Sequence, residues 1–395
     1  MIHSRSKLKC LINYLFIFLT INYNLLVKFV INIDSTGYAL ILMSFLVLAT
    51  NFGDLQKIQS KKPILFWLIW CIYACLNYYL RPHHIDISFF LLYRKIFIPL
   101  IVMSVVVLEF NRNPFKLIWC CFITHISFFL LGFYFDSGIL FLNLGEENEL
   151  GNAYAIISSF SLFYLIILYN LKQIKFQSFI IVLLLVIIAL SMSGTRKAFG
   201  AGIIFFVFWI ISQFNPRHIK SWIFVAIFVL LGLWGYNYLI ENTYIGYRME
   251  ILDKQQEEYL YGNIPDFLGV LGDRAPLYYF GILTFFSNPI FGVGLAQAYV
   301  NGIYIHSEYV AQLADNGIIG FMLFILMYLW ILKHLIIKIR NDKKIGLSIF
   351  SGLVTLLFLF VTAWAWEFPQ YFICAGVLIG YCQNKGHLMT NCNIR

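Results

Sequence analysis

The sequence predicts an all-α, polytopic integral membrane protein. About 12 transmembrane helices form a single domain over 1–395, and a large loop at about 241–314 carries a re-entrant or interfacial helix. Three observations predict this. Of the 395 residues 61% are hydrophobic and only 12% charged, half the roughly 25% charged share of a soluble chain. Long apolar runs recur along the whole length. The basic residues fall into alternate loops between those runs.

The apolar runs lie near 11–33, 37–53, 63–80, 88–108, 115–135, 151–171, 176–192, 197–213, 221–240, 315–332, 345–365 and 368–383. Arg5, Lys7 and Lys9 precede the first, as in a signal peptide, but no small-residue cleavage site follows. An uncleaved first span is the expectation. With the N-terminus inside, 19 of the 28 basic residues fall in inner loops, and all acidic residues but Asp54, Glu109 and Asp342 fall outside. Lysine and arginine bias cytoplasmic loops, so both termini are expected in the cytoplasm and the long loop outside. The run 276–295 is broken by Pro276, Asn288, Pro289, Gly292 and Gly294, which leaves a helix of about 12 residues, too short to span. It is expected to lie on the outer face or dip into it.

Composition also excludes classes. The net charge of +9 is spread over many short loops, which is not the single basic patch of a nucleic-acid binder. The eight cysteines avoid the long loop, so no disulfide framework is expected. No Cys/His spacing points to zinc. No linker divides the chain and no internal repeat stands out.

The residues suited to chemistry are the cations that break the inward bias. Arg196 and Lys197 follow Ser193-Gly194-Thr195 in a tight turn between two spans. Turn N–H donors and a guanidinium make an anion site; the competing reading is an anchor reaching for water. Arg274 precedes the short helix, and pairing with Asp273 is its simpler role. Arg94 and Lys95 lie within the fourth span, where charges face a bundle interior or cavity. Either a second phosphate contact or an ion pair fits them. His306 sits where the long loop returns to the membrane. It is a candidate general base or a polar cap. Glu308 and Asp315 are nearby acids that either orient the imidazole, act as base, or stay solvated. Tyr309 and the tyrosines at 278, 279, 299 and 304 offer flat rings for sugars, or ordinary packing.

Three blocks in this order resemble the O-antigen polymerase and O-antigen ligase superfamily of bacterial envelopes. Ser193-Gly194-Thr195-Arg196 matches its Ser-Gly-Ser/Thr-Arg block. Arg274 with Asn288-Pro289-Ile290-Phe291-Gly292-Val293-Gly294 matches an arginine followed by Pro-x-x-Gly-x-Gly. His306-Ser307-Glu308-Tyr309, running on to Asn316-Gly317-Ile318-Ile319-Gly320, matches its histidine block. The family's His-Asn is His-Ser here, which keeps the imidazole and removes one amide. The matching blocks cover about 190–330; the first half resembles the family only in hydropathy.

The resemblance implies glycosyl transfer at the periplasmic face of the bacterial inner membrane. The donor would be an oligosaccharide on undecaprenyl pyrophosphate, with no metal and no other cofactor. Arg196 and Arg274 would hold the pyrophosphate and His306 would take the acceptor's proton, with Arg94, Lys197, Glu308 and Tyr309 as further site residues. Membrane lipid and a chain-length regulator protein are the implied partners. The Gly-Thr-Arg-Lys block and the compact loop favour the polymerase over the ligase that moves finished polymer to lipid A-core. A transporter or flippase is the alternative of another class. It would want carboxylates deep within spans, and the map places none there.

Overall fold

The computed structural model describes residues 2–23, 33–55, 61–81, 89–135, 149–192, 195–219, 221–223, 225–227, 229–230, 238, 275–300, 303–362 and 370–384. Among these residues the elements in order are α1 (Ile2–Ile21), α2 (Ile33–Leu55), α3 (Lys62–Leu80), α4 (Phe89–Arg112), α5 (Pro114–Phe135), α6 (Glu149–Asn170), α7 (Phe176–Met192), α8 (Arg196–Gln213), α9 (Ala275–Ser287), a hairpin of β1 (Tyr299–Val300) and β2 (Ile303–Tyr304), α10 (Glu308–Asn341), α11 (Lys343–Thr362) and α12 (Gln370–Gln383). Among the described residues five helical stretches are long and apolar enough to cross a bilayer: Tyr38–Leu55, Lys62–Leu80, Arg196–Gln213, Glu308–Asn341 and Lys343–Val361.

Most apolar runs became helices close to their expected bounds, and three differ. The first helix starts at Ile2 and stops at Ile21 instead of covering 11–33. Its charged start is held in place, because Lys9 Nζ reaches Asp54 Oδ2 at 3.1 Å. At its end Asn22 Nδ2 turns back onto Phe18 O at 2.9 Å. Residues 24–32 lie outside the described set. The run 221–240 is helical at 221–223, 225–227, 229–230 and 238, and its other residues lie outside that set, as do 239–274 of the long loop. The helix expected over 315–332 runs from Glu308 to Asn341 and is broken at Gly317 (φ 61°).

Every residue of α12 is buried, as expected of a helix apolar on all sides. It packs along α4. A β-carbon at Gly376 would come within 2.7 Å of Val106, and one at Gly380 within 2.7 Å of Phe110. This is the small-xxx-small spacing that lets helix backbones approach in membranes. α11 lies between α8 and α10, and α3 lies against α10.

Polar ties mark the end of the bundle away from His306. Arg112 joins Asp54 at 2.7 Å and Glu109 at 2.6 Å. Glu109 is 1% exposed and also accepts from Asn13 Nδ2 at 2.7 Å. The charge map's first two acidic exceptions are thus partners of basic residues at the same end. The third, Asp342, accepts the Ile345 N–H at 3.2 Å and so caps α11.

Candidate functional site

Four polar residues fall on one stripe of α10: Glu308, Gln312, Asp315 and Asn316. Their spacing of i, i+4, i+7 and i+8 puts them on one helix face, and all four are buried. Buried polar groups demand partners, and neighbouring elements supply them. Gln312 Nε2 donates to Glu308 Oε1 at 2.8 Å. Gln312 Oε1 accepts from Trp70 Nε1 at 3.1 Å and from Asn316 Nδ2 at 3.0 Å. Tyr73 of α3 donates to Asn316 O at 2.9 Å.

At Gly317 the helix opens and the turn 288–294 enters the gap. Ile318 N–H bonds Pro289 O at 2.9 Å, and Ile319 N–H bonds Ile290 O at 3.3 Å. In return Val293 N–H bonds Ala314 O at 2.9 Å and Gly294 N–H bonds Asp315 O at 2.8 Å. Two backbones this close leave no room for side chains. A β-carbon at Gly317 would sit 2.4 Å from Ile290 O, and one at Gly292 (φ 73°) would sit 2.3 Å from the Asp315 carbonyl. Asn77 of α3 pins both strands of this knot, donating to Phe291 O at 2.9 Å and Asp315 O at 3.0 Å.

The chain then folds around the Asp315 carboxylate. Ala296 N–H donates to it at 2.7 Å, Gln297 N–H at 3.1 Å and Ala298 N–H at 2.8 Å. The Tyr304 hydroxyl donates too. Ala296 holds a left-handed φ of 55°, which aims consecutive N–H groups into one concavity suited to an anion. Burial, and then the Asp315 charge, push the Tyr304 phenol well above its ordinary pKa. Lys95 Nζ lies 5.7 Å from the Tyr304 ring centroid. Both oxygens of Asp315 are thus engaged in holding the loop 296–304.

His306 follows directly, half-buried. Ser307 caps α10, its Oγ accepting the Val310 N–H at 3.4 Å. Asparagine caps equally well, so the missing amide costs no cap. Ser307 Oγ also lies 3.5 Å from Phe360 O, and Tyr309 OH donates to Leu357 O at 2.9 Å. Tyr278 of α9 donates to Val361 O, and its hydroxyl lies 3.4 Å from His306 O. His306 is thereby fixed against the last turns of α11. Glu308 is 2% exposed, and Tyr309 gives its hydroxyl to Leu357 O of α11.

Arg196 opens α8 after Thr195, whose carbonyl accepts from Ala198 and Phe199 N–H, both at 3.0 Å. The arginine is half-buried, with Nη1 fully enclosed. One turn on, a β-carbon at Gly200 would stand 2.8 Å from the Phe358 ring. The helix that Arg196 opens thus meets the final turns of α11 at Phe358, and the segment that follows His306 meets them at Phe360. Lys197 is also half-buried. Ser193, Gly194 and Arg274 lie outside the described residues, as does the side chain of Arg94. The helix that follows Arg274 begins with Ala275, fully buried and packed with Tyr278.

Sequence reasoning missed Asn77, Tyr73, Trp70 and Gln312. The signal was present for Gln312, whose i+4 spacing from Glu308 predicts a shared face. Among the described residues no three His, Cys, Asp or Glu side chains gather to hold a metal ion. The sequence matches no protein-family model and no curated protein.

Proposed function

We propose that this chain is a metal-independent, inverting membrane glycosyltransferase that polymerises oligosaccharide repeat units carried on undecaprenyl pyrophosphate. It would work at the periplasmic face of the bacterial inner membrane, with about 12 spans and both termini in the cytoplasm. The observation that supports this most is that the helix opened by Arg196 and the segment after His306 both reach one end of α11, at Phe358 and Phe360.

In this reading His306 removes the proton from the acceptor sugar's hydroxyl as its oxygen bonds to the donor's anomeric carbon. The bond from that carbon to the pyrophosphate oxygen breaks on the opposite face, which inverts the centre. The leaving undecaprenyl pyrophosphate carries the electron pair away. Arg196 and Arg274 stabilise that charge, because fixed cations in a low-dielectric cleft act more strongly than in water. Holding two lipid-borne reactants in line supplies much of the rate.

The test is complementation of a deletion strain, read by gel of surface polysaccharide. His306→Ala and Arg196→Ala should reach the membrane in normal amounts and restore no long chains. A polymerase deletion leaves core plus one repeat unit. Bare core, with polymer stranded on its lipid carrier, would instead identify the ligase. Wild-type ladders from both variants would defeat the site.

A further inference from the structure

We infer that the cleft between α2, α3 and α4 is a binding site for one anionic phospholipid, with its acyl chain along α4 and its phosphate at Lys61 and Lys62. The inference stands apart from the glycosyl-transfer reading. The cleft has a volume of about 390 Å³. Its floor is one face of α4, where Phe97, Leu100, Ile101 and Ser104 recur at helical spacing after Tyr93. Leu48 of α2 and Leu68 of α3 form its walls. From Tyr93 to Ser104 the floor runs about 16 Å. That is half of a ~30 Å hydrocarbon core, the depth of one leaflet.

Among the described lining residues the two uncharged polar groups are already engaged. Ser104 Oγ donates to its own helix at Leu100 O, 2.7 Å away. The Tyr93 hydroxyl is paired with Ser44 Oγ at 3.0 Å. The rim residues Phe45 and Leu65 are apolar and about half exposed, at 54% and 47%. Both walls belong to stretches long and apolar enough to cross a bilayer, so the opening faces lipid. Among the described lining residues Lys61 alone is charged, and it stands where α3 begins. Lys61 and Lys62 are both exposed. Among the described residues the ion pairs at this end join Lys9 and Arg112 to Asp54 and Glu109, and none involves Lys61 or Lys62. Lys61 at the rim, with exposed Lys62 next to it in the chain, complements a phosphate whose acyl chain fills an apolar slot one leaflet deep. Basic pockets between membrane helices recognise anionic headgroups in this way.

The full chain, purified in mild detergent, should retain about one phospholipid, enriched in anionic headgroups over the host membrane, as read by quantitative mass spectrometry of the extract. Lys61→Gln with Lys62→Gln should lower that anionic preference roughly fivefold per lysine. Leu100→Trp, which fills the slot, should lose the retained lipid whatever its headgroup. Size-exclusion profiles check folding, and the exposed lysine pair decides the matter if Leu100→Trp fails to fold. An unchanged lipid complement in the lysine variant would overturn the inference. So would retention of an isoprenyl phosphate in place of a phospholipid.

Discussion

Gly292 presses so close to the backbone of Asp315 that a β-carbon on it would stand 2.3 Å from the Asp315 carbonyl. The contact joins the turn after α9 to the break in α10. It is possible only because Gly292 adopts a φ of 73°, which an L side chain resists by about 1–2 kcal/mol before any clash is counted. Gly292→Ala should therefore destabilise the protein by at least about 2 kcal/mol and abolish activity. Gly53→Ala is the control, since nothing lies within 4 Å of a β-carbon there and alanine is the better helix former. Thermal unfolding in detergent should show a lower midpoint for the first variant and an unchanged or higher one for the second.

Ala296 makes the opposite prediction. It sits at a φ of 55°, held there by the Asp315 carboxylate that accepts its N–H at 2.7 Å. Ala296→Gly removes the strain and keeps the N–H. The variant should gain about 0.5–1 kcal/mol, the relief of a left-handed alanine less the added freedom of the unfolded chain. A lowered unfolding midpoint would show that the methyl group packs in a way that outweighs the strain.

The Asp315 site itself ranks two variants. Asp315→Asn keeps the shape but turns an NH₂ towards N–H donors, leaving buried groups without acceptors at about 1–3 kcal/mol each. Tyr304→Phe removes one donor and leaves the carboxylate the N–H groups of Ala296, Gln297 and Ala298. Its expected cost is about 1 kcal/mol. Asp315→Asn should thus be clearly the more damaging in unfolding experiments. Equal effects would mean that the phenol anchors the charge.

Much of the helical frame was legible because apolar length is a one-dimensional signal. The runs 63–80 and 176–192 became Lys62–Leu80 and Phe176–Met192. The start of α10 was hidden from hydropathy because its first turns are polar, yet Ser307 before Glu308 is a cap signal that reads as a helix start. The association of Asn77 with Phe291 O spans 214 positions and left no trace to find. A side chain recognising a backbone carbonyl imposes nothing on the residue that owns the carbonyl. The exceptions to the charge map have a local cause. Asp54 and Glu109 ran against it because each pairs with a cation.

Magnitudes separate the two cations at that far end. Lys9 and Asp54 are 33% and 27% exposed, and such a pair contributes about 0–1 kcal/mol. Glu109 is 1% exposed, and Arg112 meets it at 2.6 Å. Removing the partner of a buried charge costs about 3–5 kcal/mol, eased here because Asn13 still donates at 2.7 Å. Arg112→Ala should lower the unfolding midpoint far more than Lys9→Ala. Glu109→Gln with Arg112→Ala should recover most of the loss, since no charge then remains buried. Failure of the double variant to recover would assign the stability to Arg112 packing instead.

The adjacent pair His306 and Ser307 separates chemistry from architecture. Ser307 Oγ caps α10 through the Val310 N–H at 3.4 Å, and losing such a cap costs about 1 kcal/mol. Ser307→Ala should therefore lower stability and leave polysaccharide synthesis measurable, while Ser307→Asn, which also caps, should keep both. The segment at His306 is held by its neighbours, since Ser307 caps α10 and Tyr309 donates to Leu357 O at 2.9 Å, and any side chain at 306 preserves those ties. His306→Ala should then stay folded and yet lose turnover by about 10²–10⁴-fold, the usual contribution of a general base. Unfolding midpoints and chain synthesis by purified protein in vesicles, measured on the same preparations, decide it. If stability and turnover fell together in His306→Ala, the imidazole would be a packing element, and proton removal would have to be assigned to another residue at the end of α11.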